Sequence, residues 1–313
     1  MKIPLRRRFR TWFADLRVKQ RYGTVNPSAI RLPGCGYLLE IDPTDRRARQ
    51  ILVRDGIRGK ATKGARLWRA LNEGFQPEVL VDVGLNYGEC LMGSTYPAAA
   101  ALFGFEANPR VFECASRSRN NHPNAAQLRL FNTLITDVAA PERSLFVDPS
   151  WSGTGTAVEG LIRSREAVKE YKIAADLLDN LIPETAVVGK RMLFKIDIEG
   201  YEPKALKGFA RLIGLAREVV GLIEFDTRFL RMAATDPNQF LADLNKDFRV
   251  FSCGLRREIQ LAEVHSLTDL PPARDAASSQ HTDLLLIKRT PDWLNCLSPE
   301  LASQLKQLPA RPK

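Results

Sequence analysis

Apolar positions in the middle of the chain come in short dense runs rather than in helical stripes. Residues 78–84 (EVLVDVG), 102–106 (LFGFE), 127–135, 192–197 (MLFKID) and 219–224 (VVGLIE) each read as a strand buried on both faces. Helical spacing fills the gaps between them: a helix-length stretch after residue 88 that includes Ala98 to Ala101, then 110–121 and 201–215. Strands alternating with helices predict βαβ units, hence an α/β fold with a mostly parallel sheet. Residues 249–253, 260–264 and 283–288 are strand-like with no long helix between them, which predicts antiparallel strands added at a sheet edge. A hairpin of 145–147 with 156–158 is expected as an insertion between the third and fourth strands. Pro271, Pro272 and residues 276–280 read as a surface loop, and Leu301, Leu305 and Leu308 as a short amphipathic helix in the tail.

Ahead of residue 76 the pattern changes. Leu5, Phe9, Phe13 and Leu16 fall near helical spacing among Arg6, Arg7, Arg8 and Arg10, which predicts a short basic amphipathic helix. Charge marks the same division. Of the formal net charge of +10 over 313 residues, residues 1–75 carry +12, from 18 Lys/Arg and 6 Asp/Glu, and the remainder carries −2. The chain therefore divides into a basic, partly helical N-terminal extension (1–75), a main domain (76–290) and a tail (291–313). A nucleic-acid groove across the whole fold would need positive charge on the body as well, so nucleic acid is an unlikely partner. An anionic membrane surface or an acidic partner meeting residues 1–30 fits the charge better.

Composition narrows the class further. With 44% hydrophobic and 26% charged residues, the chain is an ordinary globular one. Its longest apolar run, 96–105, is far short of a membrane span. Five scattered cysteines and three histidines offer neither a disulfide framework nor a Cys/His zinc site. The arginine-rich start lacks the apolar stretch of a secretory signal. A cytoplasmic protein, with a membrane-peripheral one as the alternative, is the expectation.

Two strings carry candidate chemistry. DVGLNYG (82–88) follows a strand and brings Asp82, Gly84, Asn86 and Gly88 into one turn, where glycine lets a backbone approach a ligand closely. Glu106 ends the next strand 22 positions after Gly84, where an acid can grip ribose hydroxyls. The dinucleotide fingerprint is not met, because Asn86 takes the second glycine position, and no phosphate-binding GK[ST] loop is present. A cofactor without pyrophosphate is favoured, and S-adenosylmethionine fits, since its cationic sulfonium tolerates nearby carboxylates. The second string, KIDIEGYE (195–202), places Lys195, Asp197 and Glu199 on one side of a strand end, with Glu224 ending the fifth strand beside them.

Together these strings resemble the FkbM family of S-adenosylmethionine-dependent methyltransferases. The matching stretches are VDVGLNYG (81–88), FEANP (105–109), Leu178-Asp179 and FKIDIEGYE (194–202), with Glu224 and the closing strand 282–287, across roughly 76–290. Leu85 stands where the family usually has alanine, and Ala107 where it often has proline. The resemblance implies a Rossmann-like class I methyltransferase fold and methyl transfer, usually to a hydroxyl on a sugar, glycan or secondary metabolite. It implies that Asp82, Gly84, Asn86 and Gly88 hold the methionine end and Glu106 the ribose, with Asp137 toward the adenine. Asp197 and Glu199, with Lys195, would face the methyl and its acceptor. Asp197 is the first candidate for base or acceptor orienter, with His265 second. No metal is assigned; a divalent cation shared by Asp197, Glu199 and Glu224 is a lesser alternative, because strand-end acids also serve by hydrogen bonding alone. The competing readings are a non-catalytic binding protein recruited through its basic arm, and a nucleic-acid methyltransferase.

Overall fold

The computed structural model describes residues 5–32, 36–162, 167–255, 259–272 and 279–290. The tail helix expected around Leu301, Leu305 and Leu308, and residues 276–278 of the expected loop, lie outside the described residues. The small ladder β1 (Ala29–Arg31) with β2 (Leu38–Glu40) precedes the main sheet. Five parallel strands run from the middle of that sheet to one edge: β3 (Val79–Val83), β4 (Ala101–Phe105), β5 (Leu128–Phe131), and after an insertion β10 (Arg191–Ile196) and β11 (Glu218–Asp226). The insertion is a second sheet, in which β6 (Leu134–Ile135), β9 (Lys169–Asp176), β7 (Ala140–Asp148) and β8 (Trp151–Thr156) lie side by side. Beyond β11 come β14 (His281–Lys288), β12 (Phe248–Leu255) and β13 (Ile259–Glu263), each antiparallel to its neighbour. The expected α/β architecture with antiparallel additions at one edge is thus the one observed.

Strand order decides where a ligand can sit. From β3 the chain steps outward to β4 and β5, then returns and steps the other way through β10 and β11. The switch lies between β3 and β10, whose carboxyl ends open onto a crevice, the usual binding place in such sheets.

The two sheet faces are covered differently. Period-two alternation sends Leu80, Leu193, Val220 and Leu222 to one face, and Val81, Phe194, Ile196 and Ile223 to the other. The second face receives the helices Glu202–Lys207, Ala210–Leu215 and Pro237–Asp247, through Phe209, Leu212 and Phe240. The first face receives the segment before residue 76: α1 (Leu5–Tyr22) through Val18, α2 (Arg46–Ile51) through Ala48 and Ile51, and α3 (Lys63–Phe75) through Trp68, Leu71 and Phe75. Thr62 caps α3 by accepting the Ala65 N–H at 2.9 Å, and Trp68 donates its indole N–H to Tyr96 Oη at 2.9 Å. Burying side chains such as Leu71 and Phe75 contributes about 1.5–3 kcal/mol each. The basic segment therefore shares one core with the sheet, although Trp12, Phe13 and Leu16 of α1 are exposed.

Three expected elements differ. The helix expected over 201–215 breaks at Gly208 and Phe209 into two short helices. No α-helix follows β3; the chain makes only a 3₁₀ turn at Leu91–Gly93 before β4, and Ala101 already belongs to that strand. Gly88, Gly93 and Pro97 interrupt helical propagation there, and α3 covers the face that a crossover helix would have taken. The third strand, expected over 127–135, breaks at Asn132, whose side-chain amide donates to the Glu106 and Ala107 carbonyls at 2.8 and 3.1 Å. That break redirects residues 134–135 into the second sheet. The expected hairpin is present as β7 and β8, but it belongs to this larger sheet; β9 buries only Ile173 and Ala175 of its eight residues and so lacks a strong apolar pattern.

Candidate functional site

A cleft with about 1300 Å³ of free space, part of it open to solvent, lies at the switch point. Asp82, Gly84, Asn86, Glu106, Lys195, Asp197, Glu199 and Glu224 all line it, so the two strings that stand more than a hundred residues apart meet at one site. Gly88 and Asp137 are not among its lining residues. Gly88, at φ +88°, packs against Met92. Asp137 pairs with Lys207 at 3.0 Å, and Thr133, Leu134 and Ile135 line the cleft where Asp137 was expected to reach. His265 is not a lining residue either; it lies 3.8 Å from Glu263 at the end of β13.

Gly84 lines the cleft and also has a duty within the fold. At φ +77°, an added Cβ would fall 2.0 Å from the Asp197 carbonyl oxygen, so the glycine is required by the close approach of two strand ends. Asn86, at φ +52°, donates its backbone N–H to Glu106 Oε2 at 2.7 Å, and its side-chain amide donates to the Ser152 carbonyl at 3.3 Å. Glu106 is held from its other side by the Asn108 N–H, 2.8 Å from Oε1. Burial pushes the Glu106 carboxyl up to about 7, against the lowering effect of those two amides. Each oxygen keeps lone pairs for a diol.

Lys195 sits among three acceptors. Its ammonium lies 3.2 Å from Asp197 Oδ2, 3.5 Å from Asp82 Oδ1 and 3.4 Å from the Gly84 carbonyl. Burial opposes its charge, but the two carboxylates outweigh burial and hold Lys195 above the usual lysine range. It is a fixed cation, not a base. Burial pushes Asp82 up to about 6 despite Lys195 and the Leu91 N–H. For Asp197 the balance reverses: Lys195 and Arg47 overcome burial and keep it below the ordinary aspartate value. Burial, then the neighbouring carboxylates, raise both Glu199 and Glu224 well above theirs.

The turn that presents Glu199 is tightly built. Glu199 and Gly200 adopt φ of +56° and +95°, and the buried Glu202 carboxylate accepts the Ile198 and Gly200 N–H groups at 2.9 Å. A Cβ at Gly200 would meet the Phe229 carbonyl at 2.8 Å. The left-handed turn after β10 is thus fixed on both sides.

The segment before residue 76 supplies lining residues that sequence reasoning missed. Arg47 reaches Glu89 across 2.6 Å, and both border the cleft. Buried Asp45 accepts the Tyr87 hydroxyl at 2.8 Å and the Ser152 N–H at 3.1 Å, and is also bonded by the Ser152 hydroxyl. Next to Glu224, His281 Nδ1 lies 3.3 Å from Asp226 Oδ2 and 3.6 Å from Glu224 Oε1. No local pattern flags Asp45, Arg47 or His281, whose roles arise only from packing.

No family model and no curated protein matches the chain. Solved structures similar to it include a precorrin-6y C5,15-methyltransferase from Geobacter metallireducens GS-15 (13% identity, 74% of this chain and 92% of that one, TM-score 0.36). An O-methyltransferase from Bacillus cereus in complex with SAH aligns at 10% identity over 72% of this chain and 80% of that one, with a TM-score of 0.37. An O-methyltransferase of tomaymycin synthesis from Streptomyces achromogenes, in complex with SAM, aligns at 13% identity over 72% and 79%, with a TM-score of 0.36. No described helix is long and apolar enough to cross a membrane.

Proposed function

We propose that this protein is an S-adenosylmethionine-dependent methyltransferase acting on a hydroxyl of a sugar, glycan or secondary metabolite, as the likeness to the FkbM strings suggests. One observation carries the reading: among the described residues, the switch-point cleft is lined by seven acids (Asp82, Glu89, Glu106, Asp197, Glu199, Glu224 and Asp283) and two bases, Arg47 and Lys195. Such a cleft repels phosphate and attracts a cation. It also lacks a long helix starting at the glycine turn, the feature that would hold a pyrophosphate.

The residues present fit this cofactor. Glu106, fixed by two amides and with lone pairs left over, would hold the ribose hydroxyls, and Phe105, Leu134 and Ile135 offer apolar walls. Asp82 and the main chain of 84–86 would border the amino-acid end. When bound, the cofactor supplies a methyl carbon made electrophilic by its sulfonium. The chain's own work is alignment: Lys195 holds Asp82 and Asp197 together, and anionic Asp197 would accept a hydrogen bond from an incoming hydroxyl, whose proton a carboxylate of the site would receive.

Titrating S-adenosylmethionine into the full chain should give saturable heat, weakened more than about tenfold by Glu106→Ala. Heat that is absent, or unchanged in the variant, would remove the cofactor assignment. A labelled-methyl screen over sugars, glycans and tRNA, with Asp197→Ala as control, then identifies the acceptor.

A further inference from the structure

We infer that Asp197, Glu199 and Glu224 form a binding site for a hard divalent cation such as Mg²⁺ or Mn²⁺. One carboxylate oxygen from each of the three lies within 4.8 Å of the others, a span that oxygen ligands at about 2.1–2.4 Å around one ion would cover. All three line the cleft, which leaves the ion's remaining positions open on that side.

Proximity of acids alone would not carry this. The second observation is how differently the buried carboxylates of the neighbourhood are satisfied. Asp82 faces the Leu91 N–H and Lys195; Glu106 accepts two amides; Glu202 accepts the Ile198 and Gly200 amides; Asp226 accepts the Arg228 and Phe229 amides and the Ser279 hydroxyl. Glu199 and Glu224 are the exceptions. Each has an Oε2 atom sealed from solvent with no hydrogen-bond donor among the described residues, and the Glu224 side chain is only 11% exposed. A buried carboxylate oxygen without a donor loses its hydration for nothing in return. Of the cations nearby, Arg47 is paired with Glu89, and Lys195 with Asp82 and with Asp197 of the trio; neither forms an ion pair with Glu199 or Glu224. His281 faces Glu224 through Oε1, not through the sealed Oε2.

The donor set names the ion's class. Three carboxylates with neither sulfur nor imidazole among them suit Mg²⁺, Mn²⁺ or Ca²⁺ rather than zinc or copper. Under the function proposed above, on which this consequence rests, the ion would draw the acceptor hydroxyl toward Asp197 and ease loss of its proton. The site itself does not depend on that reading.

The test is Mn²⁺ titration of the full chain without cofactor, followed by the electron paramagnetic resonance signal of free Mn²⁺. One ion per chain should bind saturably. Glu224→Gln and Glu199→Gln, which keep side-chain shape, should each weaken uptake by at least about tenfold, while Glu106→Gln leaves it unchanged. Circular dichroism and thermal melting confirm that the variants are folded. No saturable uptake, or uptake indifferent to both substitutions, overturns the site. So does an infrared carbonyl band of a protonated acid that persists in excess Mn²⁺ and disappears in Glu224→Gln. Cofactor titration on the same samples separates the two claims: Mn²⁺ uptake without S-adenosylmethionine binding would keep the ion and discard the methyl donor.

Discussion

The Arg47 guanidinium and the Glu89 carboxylate meet at 2.6 Å, joining the basic N-terminal segment to the loop after β3 at the wall of the cleft. Glu89 is almost wholly buried and Arg47 mostly so. Truncating either one strands its partner's charge. Arg47→Met should therefore lower stability by about 2 kcal/mol, somewhat less than for a fully buried pair, because Arg47 keeps some solvent. Arg47→Met with Glu89→Leu should restore part of that loss, read as a positive coupling in a double-mutant cycle by urea unfolding.

Glu106 makes the cofactor step sensitive to pH. Its carboxyl titrates near 7 in the fold because burial outweighs the two amides. The folded value lies above the unfolded one, so its contribution to stability is fully present below about pH 4.3 and is lost as pH rises through 7. Cofactor affinity should run the other way, rising between pH 6 and 8 as the ionised carboxylate becomes a better acceptor for the diol. Glu106→Gln should flatten both profiles, measured by thermal melting and by calorimetric titration.

Glycines at positive φ should separate into two classes. Gly84→Ala drives a Cβ into the Asp197 carbonyl and should cost more than about 3 kcal/mol, with loss of cofactor binding. Gly189→Ala, at φ +69° with open space around its Cβ, should cost only about 1–2 kcal/mol and leave binding intact. Equal losses in the two variants would show that strand-end crowding is unimportant.

Asp197→Asn should keep the hydrogen-bonding shape while removing the charge that faces Lys195. A fall in kcat of about 10²–10⁴-fold with cofactor affinity held within a few-fold is the expected signature of a residue acting on the acceptor. A loss confined to cofactor affinity would move Asp197 to the donor side of the site.

On α1, Trp12, Phe13 and Leu16 are 58%, 55% and 40% exposed, whereas Val18 is wholly buried. Replacing the first three by Gln should each change stability by less than about 0.5 kcal/mol. Val18→Ala should cost about 2 kcal/mol in the same melting assay.

The central strands were legible because both of their faces are buried: the apolar runs at 78–84, 102–106, 192–197 and 219–224 fall on β3, β4, β10 and β11. Asp82, Glu106, Asp197 and Glu224 could be placed at one mouth because parallel strands align their carboxyl ends. What could not be read was anything decided by long-range packing. The stretch after Gly88 was expected to be helical, but α3 covers the face that helix would fill. Strand β9 has too few buried positions to announce itself. Asp45 and Arg47 looked like part of a charged extension, because nothing near them in the chain shows that Tyr87, Ser152 and Glu89 will arrive.

Asp45 ties the start of α2 to the loop after β3 and to the inserted sheet in one buried knot. Excising the first 75 residues would thus take away more than a charged appendage. A fragment beginning at residue 76 would expose the leucine-lined face of the sheet and leave Tyr87 and Ser152 without their shared acceptor, so the smallest autonomous unit of this protein has to begin upstream of Asp45.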